Sequence, residues 1–197
     1  MKKLTRQIFQ WITVITICFQ ITTIVDIVKA LILANTVVPN FVIIMDYGVC
    51  VCTALVFIGF AIAFKKKYIY QLFFIILAIM QFFFVLMNWL PNESKILLLI
   101  SSVLIFLNSL AQFYIGLNFT NLFKYTIMKN IGIGLLVNSL VGITIIFIQY
   151  IGFVNVFATM KQFRFILSIV DKLSFLYFFV SSFFFFRKYD RHFLIEK

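Results

Sequence analysis

The chain has 197 residues, 64% of them hydrophobic and only 12% charged, with a net charge of +11. Soluble domains carry about 25% charged residues, and a fold of this size cannot hide so much apolar surface from water, so an ordinary soluble domain is excluded. The positive balance is not a nucleic-acid footprint, because Lys and Arg fall in short clusters between apolar runs, which is a membrane-topology signal.

Residues 1–7 form a basic segment with Lys2, Lys3 and Arg6. The first apolar run, about 8–33, follows directly. A cleaved signal peptide has an apolar core of about 7–15 residues and a small-x-small cleavage site. This run is longer and lacks that site, so it reads as a retained span. A short uncharged turn over 34–40 contains Pro39. The second span is about 41–64 and ends at Lys65, Lys66 and Lys67. The third is about 68–90, followed by Pro91, Asn92, Glu93, Ser94 and Lys95. The fourth is about 96–119, before a polar connector with Lys124 and Lys129. The fifth is about 130–154 and the sixth about 165–186, joined by a segment with Lys161 and Arg164. The tail carries Arg187, Lys188, Asp190, Arg191, His192, Glu196 and Lys197.

A helix needs about 20 apolar residues to cross the hydrocarbon, and backbone groups in lipid must pair internally, so each run is expected to be helical. Transmembrane strands would be about ten residues long and alternate in polarity. The expected fold is therefore all-α, a polytopic integral membrane protein with six transmembrane helices in a single domain over 1–197. The N-terminal segment, the Lys65–Lys67 turn, the Lys124/Lys129 connector and the tail hold 12 Lys and Arg, and the alternate connections hold 3. That bias places both termini in the cytoplasm. Short connections make sequential helices antiparallel neighbours.

Three carboxylates fall within spans: Asp26, Asp46 and Asp171. Lys29 and Lys172 lie at similar depth. With cytoplasmic termini, all are in the outer half of the membrane. An ionisable residue at such depth costs a few kcal/mol and faces protein or water more often than lipid. Two readings stay open. The carboxylates line an outward-facing vestibule for a cation, an amine or a proton, or they pair internally with Lys29 and Lys172.

The fourth span carries Ser101, Asn108, Gln112 and Gly116 at spacings of seven, four and four, and the fifth carries Gly134, Asn138, Gly142, Gln149 and Gly152. Such small or polar stripes let helices approach closely and hydrogen-bond across one another. They serve either as packing faces or as a pocket lined by amides. The first span has Thr13, Thr16, Gln20 and Thr23 on a third stripe. Spans one, four and five are thus expected inside the bundle. The Phe-rich third span and the Phe183–Phe186 end of the sixth are expected to face lipid.

Cys18, Cys50 and Cys52 read as small apolar fillers, and the single histidine, His192, lies in the polar tail. No metal or cofactor is expected. Walker, dinucleotide, zinc-protease and serine-elbow motifs are absent from the sequence, so an enzyme is disfavoured. Asn92-Glu93-Ser94 matches a glycosylation sequon in a turn too tight to be persuasive. Heavy use of Ile, Phe, Lys and Asn fits an AT-rich genome and a bacterial cytoplasmic membrane.

The reading is a small solute transporter or the membrane subunit of a transport system. Asp26, Lys29, Asp46 and Asp171 would form its mouth. Asn108, Gln112, Asn138 and Gln149 would bind solute deeper. Lacking an energy source of its own, it would use an ion gradient or a partner ATPase docked on the basic cytoplasmic loops. The rival is a non-enzymatic interaction protein, such as an immunity factor, a sensor's membrane domain or an assembly partner. Asp26→Asn separates the two. Under transport it abolishes uptake with little loss of folded protein. A variant that fails to accumulate makes the carboxylate a structural partner of Lys29.

Overall fold

A computed structural model describes residues 1, 3–32, 40–89, 95–150 and 161–188. The six helices are α1 Lys3–Ile32, α2 Asn40–Ala63, α3 Tyr68–Trp89, α4 Lys95–Leu122, α5 Thr126–Tyr150 and α6 Lys161–Arg187. All six are long and apolar enough to cross a membrane. The expected Pro39 turn, the Asn92 sequon, the first part of the fifth-to-sixth connection and the tail beyond Lys188 lie outside the described residues. Helix α6 begins at Lys161, ahead of the expected start.

The β-branched hydroxyls in the spans do not break the helices. Thr13, Thr16, Thr22 and Thr23 of α1 each donate back to the carbonyl four residues earlier, at 2.6–3.0 Å. Thr53 of α2 does the same to Val49 at 2.6 Å. A polar side chain satisfied by its own helix needs no neighbour. Helix α1, expected in the interior, buries the face that carries Thr13, Thr16, Gln20 and Thr23, yet it is the most exposed of the six, with 22% of its span buried against 44% for α2.

The principal contacts run α1–α2, α2–α3, α3–α4, α4–α5, α5–α6 and α6–α1, so the helices close a ring in chain order. Two tight turns make antiparallel hairpins. Lys67 N–H donates to Phe64 at 2.7 Å between α2 and α3, and Met128 N–H donates to Tyr125 at 3.0 Å between α4 and α5. The Lys67 ammonium lies 4.9 Å from the centre of the Phe123 ring, so the two turns meet at one end. The start of α1 is at that end too, since Phe9 stacks on Phe186 near the end of α6. The described basic clusters therefore share one pole, here termed the basic pole.

The half of the bundle at the basic pole is filled with aromatic rings. Phe60 of α2 packs against Phe74 of α3 at 5.0 Å and against Phe185 and Phe186 of α6 at 5.0 and 5.1 Å. Phe64 stacks on Phe119 of α4 at 5.3 Å. The expectation that Phe-rich segments face lipid is thus corrected in part. Phe74, Phe185 and Phe186 are fully buried, while Phe82, Phe83 and Phe184 are exposed. Phe is as comfortable in a packed core as in acyl chains, so composition does not choose between them; helix phase does.

Helices α4 and α5 cross at glycines. A Cβ on Gly116 would meet the Gly132 carbonyl at 2.9 Å and the Leu136 nitrogen at 3.0 Å, both backbone atoms that cannot move aside. Overpacking of this kind costs about 1–3 kcal/mol. Gly116→Val is expected to lower the thermal unfolding midpoint of the purified protein in detergent by several degrees, whereas Leu117→Val, on the exposed face of the same helix, is near neutral. Equal effects of the two would mean that the close crossing does not exist.

Candidate functional site

Helix–helix contacts fix the relative heights of the side chains. Gly48 and Gly59 of α2 face Phe19 and Phe9 of α1. Phe60 of α2 meets Phe74 of α3. Ser109 of α4 lies against Gly142 of α5, and Gly134 of α5 lies against Phe178 of α6. With these registers, a polar layer about two helical turns deep lies just beyond the aromatic half, above the Phe57–Phe178 contact. Every helix contributes to it: Gln20, Thr53, Gln81, Gln112 and Asn138 are buried, and Asp171 is half-buried.

The sequence places Asp171 and Lys172 side by side on α6, and neighbouring residues on a helix point about 100° apart. The two therefore serve different partners. Asn138 Nδ2 of α5 donates to Asp171 Oδ1 at 2.7 Å. Lys172 Nζ donates to Asp46 Oδ1 of α2 at 3.1 Å. Gln20 Nε2 of α1 donates to the Lys172 backbone carbonyl at 3.1 Å, using the second lone pair that a helical carbonyl keeps. One turn of α6 thus ties down three other helices.

The remaining expected site residues divide clearly. Asp26 pairs along its own helix with Lys29 at 3.9 Å, and Lys29 is 66% exposed. Among the described residues, no hydrogen bond or ion pair joins Asp26 to the α2–α5–α6 cluster. Such a pair contributes little to stability, so the loss of accumulation considered for Asp26→Asn has no support in its contacts. Asn108 and Gln112 are buried on one face of α4. The side chain of Gln149 lies outside the described residues. Lys172, expected only as a pairing partner, is the hub of the cluster. Gln81 and Thr53 were not anticipated. For Gln81 the signal was present: it is the one amide in the middle of an otherwise apolar third span.

Among the described residues no group of His, Cys, Asp or Glu could hold a metal ion. The layer can instead offer amide donors and acceptors, a carboxylate held by an amide, and a lysine–carboxylate pair. Fold and layer together describe an all-α bundle of six helices long and apolar enough to span a membrane, with a polar interior in one half. No protein-family model, curated protein or solved structure matches the chain.

The α2–α6 ion pair can be measured. Its Lys172 side chain is 20% exposed and its Asp46 side chain 43%, so water screens it and its coupling is expected near the exposed range, about 1 kcal/mol. A double-mutant cycle with Asp46→Asn, Lys172→Met and both, read by thermal unfolding in detergent, should show the double variant losing less than the two single losses combined. Strict additivity would mean that the pair carries no interaction.

Proposed function

We propose that the protein is a small solute transporter, or the solute-binding membrane subunit of a transport system, with both termini in the cytoplasm and the polar half open to the opposite side. One observation carries this reading: charged and amide side chains are gathered in one half of the bundle while aromatic rings close the other. Ionisable residues within spans commonly mark solute or ion pathways, and here they share one layer with the buried amides Gln20, Gln112 and Asn138. The orientation is supported by the Lys and Arg bias, since cytoplasmic connections collect basic residues. The Phe half then seals the cytoplasmic side, and a solute reaching the polar layer needs rearrangement of those rings to proceed. The sequence has no nucleotide-binding motif, so the driving force comes from an ion gradient or from a partner ATPase. The basic pole, with Lys65, Lys66 and Lys124 exposed, is the surface on which such a partner would dock. The sequence composition favours a bacterial cytoplasmic membrane.

A native thiol tests this geometry. Cys50 lies one turn along α2 from Asp46 and within electrostatic reach of Lys172 and Asp171. In a Cys18→Ser, Cys52→Ser background, a charged membrane-impermeant methanethiosulfonate should label Cys50 in right-side-out vesicles and not in inverted ones. Labelling from the inverted side alone would reverse the topology. No labelling from either side, with a cysteine in place of the more exposed Asp46 (Asp46→Cys) also unlabelled, would leave the layer a packing surface, as expected of an interaction protein.

A further inference from the structure

The Asp46, Asp171 and Lys172 side chains of the polar half have partners within the chain, but several of its buried amide atoms do not. Asp46 has Lys172, and Asp171 has Asn138. By contrast, Gln112 is fully buried, and neither its Oε1 nor its Nε2 has a partner. Asn108, 8% exposed and one turn away on the same face of α4, has an unpartnered Oδ1. On α1, which shares the layer, Gln20 spends its Nε2 on α6 and keeps an unpartnered Oε1. Buried polar atoms are nearly always hydrogen-bonded, so each exception calls for an explanation.

The kind of atoms left over selects the ligand. A cation would be held by the amide oxygens but would leave the Gln112 N–H groups unanswered and facing a like charge. An anion would leave the oxygens unanswered. A carboxamide presents a donor beside an acceptor, and its complement is a neutral group with an N–H beside a C=O. Ile115 and Phe119, farther along the buried face of α4, are fully buried in the apolar core. Polar recognition on this face therefore ends at Gln112.

We propose that Gln112, assisted by Asn108, recognises a small neutral solute bearing an N–H beside a C=O, as on the edge of a lactam, a cyclic urea or a pyrimidinone. The inference rests on the transport reading and names the class of its solute. The charged cluster of α2, α5 and α6 then holds the helices in place and does not bind the solute by charge.

The test uses the purified full-length protein in detergent. Uracil, δ-valerolactam and ethyleneurea serve as probes, each compared with its fully N-methylated analogue, and ethanolammonium and acetate serve as charged controls. At least one neutral N–H probe at millimolar concentration should raise the unfolding midpoint by a few degrees, and its N-methylated analogue should not. Gln112→Leu should remove the shift while the ligand-free protein still unfolds cooperatively. If that variant fails to fold, Asn108→Leu should weaken the shift at least threefold in apparent affinity. No shift with any neutral probe, an equal shift with the methylated analogues, or a shift retained in Gln112→Leu overturns the proposal. If only the ammonium compound shifts the midpoint, the solute class is wrong, while one-sided labelling of Cys50 still supports transport. Loss of both the shift and the labelling removes both readings.

Discussion

The polar half of the bundle depends on two opposite charges placed next to each other on one helix. Because Asp171 and Lys172 diverge around the axis of α6, one turn reaches α5 through a carboxylate–amide bond, α2 through an ion pair and α1 through a backbone carbonyl. Gln20 and Asn138 are buried and the Lys172 side chain is only 20% exposed, so few other groups compete for these contacts. Each bond is modest, about 0.6–2 kcal/mol for interhelical polar contacts in membranes. Three of them on one turn set the rotation and the height of α6 together.

The other half is held differently. Lipid tails are as apolar as the side chains they replace, so helices in a bilayer gain little from hiding apolar surface, and close packing supplies the attraction. The Phe60 ring shows how this is achieved, with four aromatic neighbours from two helices within 6 Å. The glycines of α4 and α5 act to the same end by bringing backbones into contact. Only the α3–α4 contact is thin, and there Phe73 stacks on Tyr114 at 4.6 Å. The bundle thus joins a closely packed aromatic half to a polar half whose partners are longer side chains.

Much of this architecture was legible in the amino-acid order. Six apolar runs of spanning length become six helices, because hydropathy and backbone pairing in lipid leave no other solution. Neighbour order around the ring also follows from short connections. Closure between α1 and α6 does not, since nothing local reports a contact between the two ends of the chain. The pairing of Lys172 with Asp46 was among the combinations that opposite charges at similar depth allow. The pairing of Asp171 with Asn138 was not, because an amide carries no charge to suggest it. Phe residues were the least legible, as Phe74 and Phe83 sit on opposite faces of one helix and only the phase set by neighbouring helices separates them. The polar stripe of α1 was legible as an interior face, since Thr13, Thr16, Gln20 and Thr23 are all buried; what it did not report is that the threonine hydroxyls are answered by their own carbonyls.

Ring closure by the sixth helix has a consequence for biogenesis. Helices leave the ribosome in order, so α1 to α5 emerge before the residues that complete Gln20, Asp46 and Asn138 have been made. During that interval a carboxylate and two amides lack the counterpart that α6 brings. The first five helices can pair along the ring, but the polar half gains its crossed contacts only when Asp171 and Lys172 arrive.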